Sequence, residues 1–172
     1  MGKVTVYPQD ARSGVPVTID LAHAKIHDGL LFHTPFSVSV GTGTVASVLI
    51  SAPATGVYHL AFHIDASNSG TWAFSEAPNA SGGSALVSFN KNRTSANTST
   101  LTHTHTPTYV SSGTVLTSGA IGTSGLGVSD SGGGANERDE WILNASTLYL
   151  IRFTALNAGT TVVIKTSAYR QS

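Results

Sequence analysis

Along most of this chain apolar and polar residues alternate one for one, and helix-like spacing of apolar positions is nearly absent. The clearest run is Val57-Tyr58-His59-Leu60-Ala61-Phe62-His63-Ile64-Asp65. There Leu60, Phe62 and Ile64 fall on one face of an extended strand, and His59, Ala61, His63 and Asp65 on the other. Such a strand has one side for a core and one for water or a neighbour. Pro53-Ala54-Thr55-Gly56 ahead of it reads as a turn. Upstream, Leu30 to Val40 and Thr44 to Ala52 read as two strands joined across Gly41-Thr42-Gly43. Thr71-Trp72-Ala73-Phe74 predicts a short strand, and Ser84 to Phe89 another after a Ser-Gly-Gly turn.

The last third follows the same rhythm. Glu140 to Leu143 predicts a short strand, Asn144-Ala145-Ser146-Thr147 a turn, and Leu148 to Leu156 a mostly apolar strand. Asn157-Ala158-Gly159 then turns the chain into a return strand, Thr160 to Tyr169, so the final pair is expected to form an antiparallel hairpin. Two regions break the pattern. Residues 1–20 scatter Pro8, Gly14 and Pro16 among isolated apolar residues and are expected to form an extended arm. Residues 119–136 are rich in Gly and Ser and are expected to form a long loop that is mobile, or ordered only by a neighbouring subunit. The fold expected is all-β: an antiparallel sandwich or jelly roll over 21–172, preceded by the arm.

Composition narrows the role of that sandwich. A chain of 172 residues suits one domain and can bury a core without metals or disulfides, and it contains no Cys. Charged residues make up 10%, against roughly 25% in ordinary soluble domains. Ser and Thr fill 44 positions, so hydroxyls must supply the surface polarity. A surface this poor in charge suits a subunit that buries much of itself in an assembly. The net charge is zero, which leaves no basic excess to neutralise phosphates and argues against nucleic acid as a partner. No apolar run is long enough to span a membrane, and no signal peptide is visible at the N-terminus. The protein is therefore expected to be made in the cytoplasm of its host cell.

His23 and His27 have the spacing of one helix face, while His59 with His63, and His103 with His105, share strand faces. A zinc site needs three or four convergent ligands, and none of these pairs carries a His-Glu-x-x-His signature. They read more simply as polar positions on turns and strand faces, although a symmetric oligomer could gather His103 or His105 around its axis. No Gly-x-Ser-x-Gly elbow occurs. Glu137-Arg138-Asp139-Glu140 reads as the charged lead-in to a strand rather than a glycosidase pair. The Gly-rich loop lacks the Lys-Ser/Thr of a phosphate cradle. Trp72, Trp141 and Tyr109 could form a sugar-stacking platform, but the apolar neighbours of both tryptophans favour core packing. Asn-x-Ser/Thr triplets at Asn79, Asn92, Asn97 and Asn144 are expected by chance in so hydroxyl-rich a chain. No catalytic, cofactor-binding or metal-binding residue is assigned, no cofactor is expected, and no enzyme is expected.

Three segments together resemble a group of small virion proteins of tailed bacteriophages. They are Ala22-His23-Ala24-Lys25-Ile26-His27-Asp28-Gly29-Leu30-Leu31-Phe32, then Asn92-Arg93-Thr94-Ser95-Ala96-Asn97 with Thr104-His105-Thr106-Pro107, and finally Glu140-Trp141-Ile142-Leu143 continuing to Phe153. The likeness spans about residues 20–170 and leaves the arm uncovered. It implies a jelly-roll capsid decoration, or cement, protein: a homotrimer bound to the major capsid protein on the outside of the head. It brings no catalytic residues. A receptor-binding or fibre-tip module of the phage tail, binding carbohydrate, is the alternative on a similar architecture.

Overall fold

The computed structural model describes residues 21–122 and 140–171. A short helix, α1 (Leu21–His27), comes first, followed by β1 (Leu31–Val40), β2 (Val45–Ser51), β3 (Val57–Ala66) and β4 (Gly70–Glu76). Short strands come next: β5 (Asn79–Ser81), β6 (Ser84–Ala85), β7 (Phe89–Asn90), β8 (Thr102–His105) and β9 (Thr108–Ser111). The chain closes with β10 (Thr114–Ile121), β11 (Trp141–Leu143), β12 (Leu148–Ala155) and β13 (Thr160–Gln171). The expected arm at 1–20, and most of the expected loop at 119–136, lie outside the described residues.

Two antiparallel sheets carry the domain, in the orders β11-β3-β13-β1-β7 and β10-β4-β12-β2-β8-β6. With strands β5 to β9 set aside, these are two four-stranded sheets in which each successive strand changes sheet, except at the β4–β10 step. That order is a jelly roll. Alternation in β3 aims Tyr58, Leu60, Phe62 and Ile64 inward, where they meet Phe74, Tyr149, Ile151 and Phe153 of the opposite sheet in one buried cluster. Gly70 of β4 is part of that fit. A Cβ there would lie 2.1 Å from the Phe153 ring, so the missing side chain is the space the phenyl fills.

Several expectations about connections change. Leu148 to Leu156 and Thr160 to Tyr169 do form strands but not a hairpin: β12 pairs with β2 and β4, whereas β13 pairs with β1 and β3. Asn157-Ala158-Gly159 lifts the chain from one sheet to the other, because each strand has two buried neighbours waiting in its own layer. The Gly41-Thr42-Gly43 link likewise joins strands of different sheets. The single strand expected over Ser84 to Phe89 is split, with Ser84–Ala85 pairing β8 in one sheet and Phe89–Asn90 pairing β1 in the other. Helical content, expected to be nearly absent, includes the seven-residue α1.

One broad face of the sandwich is partly roofed. The β5–β9 ribbon lies against the second sheet, where the Tyr109 ring stands 5.6 Å from the Arg152 guanidinium. Leu49 and Leu150, register partners that point away from the core, are buried on this side. On the first sheet β11 pairs only Tyr58–Leu60 of β3, and β7 pairs only Phe32–His33 of β1. Pro35 therefore sits in an edge stretch of β1, where a missing N–H does no harm.

Candidate functional site

The outward face of the first sheet carries the densest group of polar side chains. Register fixes its membership: His33 lies opposite Ser167, Lys165 opposite His63, and Tyr169 opposite His59. His33, His63, Lys91, Lys165 and Ser167 line a shallow depression of about 490 Å³. Asp65 contacts two of these residues, with His63 Nε2 at 2.7 Å and Lys165 Nζ at 3.2 Å. Although partial burial opposes it, these two partners draw the Asp65 carboxyl below the usual carboxylate range. Burial and the charges of Lys91 and Lys165 hold the His33 imidazole below its ordinary value. His59 closes the face at one end. Its Nδ1 meets Glu140 at 3.1 Å, its Nε2 meets Gln171 at 3.3 Å, and its ring stacks on Tyr169 at 4.6 Å. With both ring nitrogens engaged, His59 faces no nucleophile.

His59 and His63 thus share a strand face as expected, and Glu140 leads into β11 as expected; Glu137, Arg138 and Asp139 lie outside the described residues. His103 is a correction. It does not reach an oligomer axis but is buried between the sheets, where its Nε2 meets Thr166 Oγ1 at 3.1 Å and its Nδ1 has no partner. Desolvation lowers its pKa to about 4, so it stays neutral. The reason is topological: β8 adds to the edge of the second sheet with its His face turned inward. His105 follows on the same face and stacks on Phe36 at 4.9 Å.

The aromatic residues form no platform. Trp72 is buried in the core, and Trp141 packs against it with its ring 5.4 Å from Phe74. Tyr109 sits on the β5–β9 ribbon over Arg152. Three of the four asparagines of the Asn-x-Ser/Thr triplets have structural partners. Asn144 Nδ2 donates to Glu76 Oε1 at 2.7 Å, and that carboxylate oxygen also accepts from Tyr149 Oη at 2.8 Å. Asn92 Nδ2 donates to the His27 carbonyl, and Asn97 Nδ2 to the Gly29 carbonyl.

These last contacts join two segments about sixty positions apart in the chain. Asn90, buried in β7, binds them most tightly. Its Nδ2 donates to the carbonyls of Gly29 at 2.9 Å and Asn97 at 3.1 Å, and its Oδ1 accepts from Asn92 N at 2.9 Å. A cleft of about 370 Å³ opens beside this junction, lined by Leu30, Tyr58, Leu101 and Arg170 among others, and Tyr58 Oη hydrogen-bonds Thr100 Oγ1 within it. Neither Asn90 nor the lysine–histidine depression was legible in the sequence. Asn90 has no distinctive spacing, and the depression gathers residues from strands that are neighbours only in space.

All four described carboxylates are engaged with neighbours: Asp65 and Glu140 with histidines, Glu76 with Tyr149 and Asn144, and Asp28 locally. Among the described residues no group of three or more His, Asp or Glu side chains is placed to hold a metal ion. Comparison with protein-family models, with curated proteins and with solved structures returns no match.

Proposed function

We propose that this chain is a structural virion protein that decorates and stabilises the head of a tailed bacteriophage, docking on the outer surface of its major capsid protein as a homotrimer. The observation that carries this reading is the outward face of the first sheet. Val57, Phe89 and Ile142 are exposed there, at 42%, 46% and 64%, among His, Ser and Ala side chains. The face's one described carboxylate within the sheet, Asp65, is already ion-paired. Covering it would bury that carboxylate already neutralised, which lowers the electrostatic cost of an interface, and would leave the Lys91 ammonium for an acidic group of the neighbour.

Support also comes from the segments that resemble phage decoration proteins. Ala22 to Phe32 and Asn92 to Asn97 interlock through the Asn90, Asn92 and Asn97 side chains, so two of those stretches form one structural unit. The jelly roll supplies rigid strand faces, and symmetric placement repeats a modest contact many times over a capsid. Residues 1–20 are proposed to contact a different chain from their own, and deleting them should lower occupancy on the capsid.

The deciding measurement is the number of copies per purified particle by quantitative gel. Hundreds of copies, with particles weakened when the protein is omitted, are expected. A handful of copies would overturn the reading in favour of a fibre-tip module of the tail, which glycan binding would then support.

A further inference from the structure

We propose that His23 and His27 form a two-ligand site for a late first-row divalent metal ion, Cu2+ foremost, at the start of the domain. Both side chains are exposed on α1 and stand one helical turn apart. Their Nε2 atoms are 2.9 Å apart, with ring centroids at 4.8 Å and planes inclined by 48°. Between two neutral imidazoles this gap is a hydrogen bond that uses one proton and one lone pair. With both lone pairs turned to a common point, the same gap is one edge of a metal coordination shell.

For metal–nitrogen bonds of about 2.05 Å, two ligands at a right angle stand about 2.9 Å apart, and two at the tetrahedral angle about 3.3 Å apart. The exposed rings, now in hydrogen-bond contact at 2.9 Å, can turn to the right-angle edge of a square-planar or octahedral ion with little movement. Cu2+ and Ni2+ adopt such geometries, Zn2+ prefers the tetrahedron, and the general affinity order places Cu2+ first. No third protein ligand is at hand among the described residues, so the remaining positions belong to water. This is an open site, unlike the closed structural zinc sites that need four side chains.

The other histidines have different work. His33 is hydrogen-bonded to the Thr166 backbone, His59 and His63 are held by carboxylates, His103 by the Thr166 side chain inside the core, and His105 by Thr106 and the Phe36 ring. An ion on His23 and His27 would bind only when the α1 turn is formed, and so would stabilise it. It would also tie down the junction next to it, where the His27 carbonyl accepts from Asn92 and the Gly29 carbonyl from Asn90 and Asn97.

The test is a calorimetric titration of Cu2+ into the full chain, with electron paramagnetic resonance to count nitrogen ligands and a parallel thermal melt. One ion per chain with two imidazole nitrogens is expected, together with a rise in Tm and at least tenfold weaker binding of Zn2+. His23→Ala and His27→Ala should each weaken Cu2+ binding at least tenfold and abolish the rise in Tm. Their exposed positions leave the fold intact, and His63→Ala should bind as the parent does. Unchanged binding in both α1 variants, equal loss in His63→Ala, Zn2+ binding as tight as Cu2+, or no ion bound would each overturn the proposal.

Discussion

His103 and Thr166 reach toward each other from opposite sheets of the jelly roll and meet at 3.1 Å in the buried interior. The bond couples β8, an outlying strand of the second sheet, to β13 at the centre of the first. It also places an ionisable group where charge is poorly tolerated, and a pH dependence follows from that position.

In the unfolded chain this imidazole takes up a proton near its ordinary 6.5, whereas in the folded protein it does so only at about 4. The unfolded state therefore binds more protons between these values, and stability falls as pH drops from 6.5 to 4, by roughly 3 kcal/mol if this group acts alone. His33, also lowered, adds a loss of the same sign. Urea melts at pH 7.5 and pH 4.5 should show the difference. His103→Leu should flatten it while lowering stability at neutral pH, because Thr166 loses its partner.

Gly70 and Phe153 give a second prediction. Gly70→Ala places a methyl 2.1 to 2.7 Å from three ring atoms of Phe153 and should cost about 1–3 kcal/mol through overpacking. Combining it with Phe153→Leu should be less damaging than the sum of the two single changes, since the smaller side chain vacates the contested space. Chemical denaturation of the four proteins in the cycle measures this coupling.

Tyr149 anchors the turn between β11 and β12. Its hydroxyl accepts from Asn144 N at 2.7 Å and donates to Glu76 at 2.8 Å, and burial, with the nearby carboxylate, pushes its pKa up to about 12. Tyr149→Phe strands a backbone N–H and removes a donor from a carboxylate, so it should cost about 1–3 kcal/mol. Hydrogen exchange at Asn144 should speed up more than at the centre of β12.

Asn90 is the buried tie between β7, the Asn92–Asn97 loop and the end of α1. Asn90→Ala should cost about 1–3 kcal/mol by leaving the Gly29 carbonyl and Asn92 N–H short of partners. Asn90→Asp should be no better, because a carboxylate cannot donate to the two carbonyls that the amide now serves. Thermal melts, with exchange rates over residues 21–30, would read both effects.

Strand positions and facing were largely legible in the sequence. The alternation of Tyr58, Leu60, Phe62 and Ile64 against His59, His63 and Asp65 is what the folded β3 displays, because burial on one face is a local property of a strand. Partnership was not legible. Turn residues such as Asn157-Ala158-Gly159 reverse the chain equally well within a sheet or between two sheets, and only the completed set of neighbours decides which. The same blindness hid the inward turn of His103 and the split of Ser84 to Phe89. α1 escaped because seven residues hold too few apolar positions to reveal a period.

The pairing of β1 with β13 has a consequence for how this molecule comes into being. Leu31 must find Tyr169 and Val40 must find Thr160, so the central seam of one sheet closes between stretches made early and late on the ribosome. Until the later stretch emerges, β1 and β3 lack the strand that separates them, and their backbone edges are open to other growing chains. Folding is therefore expected to be slow and to wait until β13 has emerged, and a chain cut short before residue 160 should collect in aggregates rather than as a smaller soluble domain.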